Sequence, residues 1–428
     1  MAASQTVADT LLAELPKIRD EQEEFYRDLH RHPELSRQEV ETARKVADRL
    51  RGLGYETHDG VGGTGVVGVL ANGPGPTVLL RADMDALPVQ EATGLEYAST
   101  VRATDADGND VPVMHACGHD VHVVALLGAA RLLAEGRGHW SGTVVALFQP
   151  AEETSDGARA MVDDGLVELL PKVDVALAQH VLPAPAGHVG VRAGAVLSAA
   201  DSMRVTVYGR GAHGSMPQAA VDPVVLAAMI VVRLQTVVAR EVAPGESAVL
   251  TVGSIQAGAK SNVIPDRAVL QLNIRTYSEH TRTAVLGAIR RIVVAECQAS
   301  DSPKDPEFEM FDRFPLTQND DETTARVSEA FAAYFGEQCR QMPQQSASED
   351  FSEIPVALGA PYTYWGIGGI DPATYRQAAE RGRVDQDIPV NHSSTFAPVI
   401  QPTLDTGTKA LVVAATAWLT PASGKPVP

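Results

Sequence analysis

Apolar and polar positions follow two rhythms along the first half of the chain, one with the period of a helix and one of short unbroken apolar runs. Residues 36–51 (SRQEVETARKVADRLR) carry the helical rhythm, which stops at Gly52 and Gly54. TGVVGVLA (64–71) and TVLLRA (77–82) read as buried strands, and VHVVALLGAARLLAEG (121–136) as a helix. GTVVALFQ (142–149) and VDVALAQ (173–179) are strands again. Strands alternating with helices predict an α/β layered domain with a largely parallel sheet.

From about residue 194 the texture changes. DSMRVTVYGRG (201–211) alternates with period two, as a strand with one solvated face does. A helix is predicted over 221–240, strands over 248–255 and 267–276, and a helix over 279–299. This β-α-β-β-α run is that of a small ferredoxin-like α+β insert. The stretch DSPKDPEFEMFDRFP (301–315) reads as the return linker, and helical segments at 321–336 and 402–419 complete the first domain. The expected division is 1–193, 194–304 and 305–428, on a prior of about 150 residues per domain.

Composition narrows the partners. The formal net charge of −19 disfavours binding to a phosphate backbone, and no basic stripe reverses it. Three cysteines, Cys117, Cys297 and Cys339, are too few and too odd for a disulfide framework. The start of the chain reads as an acidic amphipathic helix without the basic end and apolar core of a signal peptide. No apolar run approaches the roughly 18 residues of a membrane span. These features predict a cytoplasmic enzyme with no nucleic-acid or membrane partner.

The chemistry is positional. RADMDALP places Asp83 and Asp85 after the strand 77–82, and MHACGHDVH places His115, Cys117, His119, Asp120 and His122 just before a helix. QPAEE places Glu152 and Glu153 after the strand 142–149, and AQHV places His180 after the strand 173–179. In open α/β sheets the carboxyl ends of the strands converge on one crevice. Thiol, imidazole and carboxylate groups gathered there suggest a transition-metal site. Each cluster alone has a plainer explanation. His119 or Asp120 could cap a helix, Asp83 and Asp85 could cap a turn, and Glu152-Glu153 could be a solvated pair. His180 alone is more often an interior histidine, and His392 in PVNHSSTF would be surface by default. His30 and His32 are read as structural. The joint pattern favours the metal site.

With these residues in view, the sequence resembles the aminoacylase and hippurate hydrolase branch of the dinuclear metallopeptidases, the family that includes carboxypeptidase G. The resemblance rests on RDLHRHPELSRQE, RADMDALP, MHACGHDVH, FQPAEE, GRGAHGSMP, SNVIPD, SASEDFS and NHSSTFAP, spread over nearly the whole chain. The CGHD form points to the branch acting on N-acyl amino acids, since the peptidase branches usually carry His-x-Asp where Asp83-Met84-Asp85 stands here. The resemblance implies a zinc-peptidase-like α/β catalytic domain with an inserted lid that carries dimerisation. It implies two divalent metal ions, zinc or manganese, held by Cys117 as a bridging thiolate and by His119, Glu153, His180 and His392. Glu152 becomes the general base and Asp85 a group orienting a histidine. His213 would reach the partner subunit's site to steady an oxyanion. Asn262 and Arg275 would contact the substrate, Arg275 by donating to the substrate's carboxylate. Glu349 matches a further motif residue of open role. Ala212 and Gly214-Ser215 around His213 depart from the Gly and Ala that relatives often have, which leaves the shape of that loop open.

The implied reaction is hydrolysis of the amide bond of an N-acyl amino acid, giving a carboxylic acid and a free amino acid. N-acetyl, N-benzoyl and longer N-acyl amino acids, hormone-type conjugates and N-acetyl-diaminopimelate all remain open as substrates. Two rivals predict different behaviour. With Cys117 as a thiol nucleophile, activity survives chelation and dies on alkylation. A metal-stabilised scaffold predicts a missing ligand or base, and none is missing.

Overall fold

A computed structural model describes residues 2–421, with side chains from Gln5 to Leu419. The chain forms two compact units. The first comprises residues up to Val196, Gln318–Gln344 and the stretch from Asp350; the second comprises Leu197–Thr317 and Gln345–Glu349. Strands β1 (Glu56–Val61), β2 (Gly65–Asn72), β3 (Thr77–Asp83), β4 (Trp140–Gln149), β5 (Val175–Pro185) and β6 (Val189–Val191) precede the second unit. That unit carries β7 (Ala199–Tyr208), β8 (Ala248–Ala257), β9 (Arg267–Thr276) and β10 (Glu307–Phe314). β11 (Cys339–Gln341) and β12 (Tyr362–Ile370) return to the first unit. The helices used below are α1 (Ala2–Leu12), α2 (Leu15–Arg31), α3 (Val40–Gly52), α4 (His119–Glu135), α5 (Pro223–Glu241), α6 (Glu279–Ala299), α7 (Asp321–Phe335) and α8 (Ile400–Thr416).

The large sheet runs β1-β2-β4-β3-β5-β12-β6-β11. It is parallel from β4 through β3 and β5 to β12, and antiparallel at β1-β2, β2-β4 and β12-β6. β6 and β11 also pair in parallel, so the expectation of a largely parallel sheet holds at the centre and at that edge, and fails on the β1-β2-β4 side and at β12-β6. The physical reason at β1-β2 is the short link through Gly62 and Gly63, both at positive φ, which turns β1 back into β2 as a hairpin.

Every residue of β3 is buried. α4 is buried on nearly all sides, because no Asp, Glu, Lys or Arg falls between Val121 and Ala130. α2 is amphipathic and buries Leu15, Ile18, Phe25, Tyr26 and Leu29 at helical spacing. It packs with α8 against α4. The strands thus present their carboxyl ends at one edge of a rigid core.

The second unit has sheet order β8-β9-β7-β10, antiparallel throughout, with α5 and α6 as its helices. Met203, Val205, Leu226, Ile230, Leu234, Leu270 and Ile289 form its core. The expected limits of 194 and 304 are corrected here: the unit runs from Leu197 to Thr317 and takes in Gln345–Glu349. Residues 301–315 are not a linker, since β10 pairs with β7 as the fourth strand. β10 is an edge strand with mostly exposed side chains, so it carries no apolar rhythm that a sequence pattern can register. The expectation of no long apolar run is also corrected. Among the described residues, α5 is long and apolar enough to cross a membrane by length and composition, although one face packs on the unit's own sheet.

Candidate metal centre

β3, β4 and β5 run parallel, so the residues that leave their carboxyl ends face one crevice. β3 delivers Asp83 and then Asp85, β4 delivers the turn Pro150–Glu153, and β5 carries His180. Opposite them α4 begins at His119, directly after Gly118. Gly118 sits at φ +81, and a Cβ there would stand 2.4 Å from Val181 Cγ1. Glycine is therefore required for Cys117 and His119 to approach β5 from one tight turn.

Hydrogen bonds fix the rings. Nδ1 of His119 faces the carbonyl oxygen of Asp85 at 2.9 Å and Asp85 Oδ1 at 3.2 Å. Both are acceptors, so Nδ1 donates and Nε2 is the nitrogen left to a cation. Nδ1 of His180 donates to the carbonyl of Val181 at 2.7 Å, which aims its Nε2 at Cys117 Sγ, 3.4 Å away. His119 Nε2 and Glu153 Oε1 lie 3.9 Å apart, both buried, and His119 Nε2 has no hydrogen-bond partner. Cys117, His119 and Glu153 offer donor atoms within 4.8 Å of one another, and His392 Nε2 stands 3.2 Å from Glu153 Oε1. A buried polar atom without a partner is costly, and a cation beside it removes that cost. Five contiguous donors exceed the four that one tetrahedral ion takes, so the set suits two ions.

A second group, Asp83, His119, His122 and His180, also lies within reach of a common point. Two of its members are already engaged. His122 donates from Nδ1 to Asp83 Oδ1 and accepts the Val181 N–H at Nε2, at 2.9 Å. Asp83 also accepts from the buried Arg81 at 2.7 Å. Burial alone would raise the Asp83 carboxyl, but His119, Arg81 and His122 hold it well below the usual range. Asp83 and His122 thus brace the end of β5 that carries His180.

The turn after β4 presents adjacent glutamates in different settings. Ala151 and Ser155 adopt positive φ of 52° and 61°, each a conformation that disfavours an L-residue by about 1 kcal/mol. Gly157 closes the turn, where a Cβ would fall 1.7 Å from the carbonyl oxygen of Pro150. Asp85 Oδ2 accepts the Glu153 N–H at 2.9 Å. Glu152 is buried, with Oε2 4.0 Å from His119 Nε2. Burial first, then the charge of Glu153, pushes the Cys117 thiol up, opposite to what a thiol nucleophile needs. Cys117 and then Glu153 raise His392 to about 10, so a cation would displace a proton there.

The remaining predicted residues belong to the second unit. His213 pairs with Val263 across a short two-stranded ribbon, its side chain exposed and its Nδ1 2.7 Å from Ser215 Oγ. Asn262 is exposed and accepts the Gly214 N–H at its carbonyl, 2.8 Å. Arg275 on β9 donates to Ser348 Oγ at 2.7 Å and Asn273 Oδ1 at 3.1 Å. Glu349 is buried. The sequence reading missed Asn391, whose Nδ2 donates to the carbonyls of Cys117 and Val181 at 3.2 and 3.1 Å and lies 3.8 Å from the Cys117 sulfur. Its only signal was adjacency to His392. The reading also gave His30 no more than a structural place, although it is fully buried between Asp120 and Glu91.

A sheet with thiol, imidazole and carboxylate donors at its strand ends, in a chain with a second α+β unit, defines a metal-dependent α/β hydrolase. The chain belongs to Peptidase family M20/M25/M40, whose signature matches residues 79–392. It is 39% identical over 346 residues to hippurate hydrolase of Campylobacter jejuni, covering 79% of this chain and 86% of that protein. It is 37% identical over 348 residues to N-acetylcysteine deacetylase of Bacillus subtilis, covering 81% and 88%. A crystal structure of a dinuclear metal-binding peptidase of the M20 family, from Bacillus subtilis, matches with a TM-score of 0.74 at 30% identity, covering 95% of this chain and 98% of that one.

Proposed function

We propose that this chain hydrolyses the amide bond of N-acyl amino acids, with two divalent cations, zinc or manganese, held by Cys117, His119, Glu153, His180 and His392. The supporting observation is the buried His119 Nε2, without a hydrogen-bond partner and 3.9 Å from Glu153 Oε1, within a contiguous set of five donors. When bound, the cations supply Lewis acidity and a water of lowered pKa. Glu152 takes the proton of the attacking water on its carboxylate and returns it to the leaving nitrogen. Asp85 holds the His119 ring and the Glu153 backbone in place.

The second unit acts as the lid in this reading. Arg275 receives the substrate carboxylate: its fork is half-buried, and among the described residues no carboxylate pairs with it. Asn262 contacts the substrate, and His213 donates to the developing oxyanion in the site of a second copy. A homodimer through this unit fits the exposed Val225, Met229 and Val232 on α5 and the edge strand β8 with exposed Val249 and Ile255. A cytoplasmic setting fits three free cysteines.

The test is a panel of N-acyl amino acids, varied in acyl chain and side chain, offered to metal-stripped protein reloaded with zinc or manganese. Hydrolysis restored by one metal, and lost in Glu152→Gln with metal content unchanged, is the expected result. A Glu152→Gln variant as fast as its parent ends the assignment of the base.

A further inference from the structure

The motif RDLHRHPELSRQE ends at Glu39, a residue that the reaction has not so far required. Glu39 is fully buried and sits at the N-cap position of α3, yet its side chain makes no capping hydrogen bond. Its carboxyl instead turns toward the catalytic turn. Oε1 accepts the N–H of Ala151 at 2.8 Å, and Oε2 accepts from Thr64 Oγ1 at 2.6 Å. Ala151 is the residue at φ +52 that leads directly into Glu152 and Glu153. A conformation so disfavoured for an L-residue persists only where its surroundings hold it.

A second support comes from the same segment. Ser36 Oγ donates to Asp85 Oδ2 at 2.7 Å, and that same oxygen accepts the Glu153 N–H. The backbone amides on either side of Glu152 are therefore both held by buried carboxyls, one supplied by residues 36–39 and one braced by them. Burial first, then the charge of Asp85, pushes Glu39 up to about 7.

We infer that Glu39 is a positioning residue of the hydrolytic site: by accepting the Ala151 N–H it sets the left-handed turn from which Glu152 and Glu153 project. The inference rests on the roles given to those two glutamates above. Glu39 touches neither substrate nor cation, and acts on both through the backbone of the turn.

Three variants test it: Glu39→Ala, Glu39→Gln, and Glu39→Ala combined with Ala151→Gly. Glutamine keeps an acceptor for the Ala151 N–H. Glycine takes φ near +52 without needing to be held. In Glu39→Ala, amide hydrogen exchange across residues 148–157 of the metal-free protein is expected to quicken at least ~10-fold. Zinc affinity, read by chelator competition, falls ~10–100-fold, the usual cost of losing a group behind a ligand. With saturating metal, kcat falls at least ~10-fold while KM changes less than ~3-fold, the pattern of a displaced base. Glu39→Gln, and the Ala151→Gly background, recover most of each loss.

Unchanged exchange and zinc affinity in Glu39→Ala overturn the inference. So does a loss that neither Gln nor Ala151→Gly relieves. Should Glu39→Ala fail to fold, Glu39→Asp keeps the carboxyl and withdraws it by one methylene, and exchange at its parent's rate overturns the inference equally. If the parent hydrolyses no N-acyl amino acid, the functional reading fails, while exchange and zinc affinity still decide the role of Glu39.

Discussion

Asp85 faces His119 twice, with its backbone carbonyl 2.9 Å and its carboxylate oxygen 3.2 Å from the same ring nitrogen. The other carboxylate oxygen takes the Glu153 N–H, so one side chain orients two members of the donor set. Replacing Asp85 with alanine removes part of this support and leaves the part-buried Glu153 amide without its acceptor. The expected outcome is a ~10–100-fold loss of metal affinity, with activity falling alongside it, measured by competition against a chelator of known affinity. Unaltered affinity would remove Asp85 from the site.

Metal removal separates the two chemistries offered for Cys117. The donor set predicts that a chelator abolishes hydrolysis and that zinc or manganese restores it. It also predicts a raised melting temperature on loading, worth about 2.7 kcal/mol at 100 times the dissociation constant. The buried thiol, pushed up by its surroundings, is expected to react slowly with alkylating reagents. Full activity in chelator together with rapid inactivation by alkylation would reverse the reading.

Arg275 is held by neutral partners, Ser348 and Asn273, which leave its charge unmatched. Arg275→Lys keeps the charge and loses the planar fork. A charged hydrogen bond is worth about 1.5–3 kcal/mol, so KM for an N-acyl amino acid should rise by ~10-fold or more at little cost in stability. The same substitution should leave hydrolysis of the corresponding carboxamide, which has no carboxylate, nearly unchanged. Equal effects on both substrates would detach Arg275 from the carboxylate.

His30 gives the fold a pH dependence. Burial alone would lower it, but hydrogen bonds and charges from Asp120 and Glu91 outweigh burial and raise it to about 9. The folded value lies above the unfolded value of about 6.5. Its stabilisation is therefore complete below about pH 6.5 and is lost as pH rises through about 9, up to about 3 kcal/mol in all. The parent's melting temperature should fall more steeply across that window than that of His30→Gln. Parallel curves for the two proteins would show that His30 is not the group responsible.

Some of this was legible in residue order and some was not. Strands β2 to β5 and helix α4 announce themselves because they are buried, and burial demands unbroken apolar runs. The edge strand β10 and the short β11 bury little, and β6 is only three residues long, so their sequences carry no such mark. His180 and His392 looked ordinary taken singly, and only four ligand-bearing clusters taken together pointed to a shared centre. The contacts of Asn391 with Cys117 and Val181, of His122 with Asp83 and of Glu39 with Ala151 gave no hint in the sequence, because they join residues 39 to 274 positions apart.

What the sequence determined by itself was the stock of donors and the strand ends that carry them, since backbone periodicity and residue chemistry are both local properties. Only the tertiary structure decided which nitrogen of His119 and of His180 faces the donor set, which carboxylates are already engaged, and which buried group holds the turn at Ala151. Those outcomes depend on hydrogen bonds between distant segments, whose geometry exists only once the core has packed.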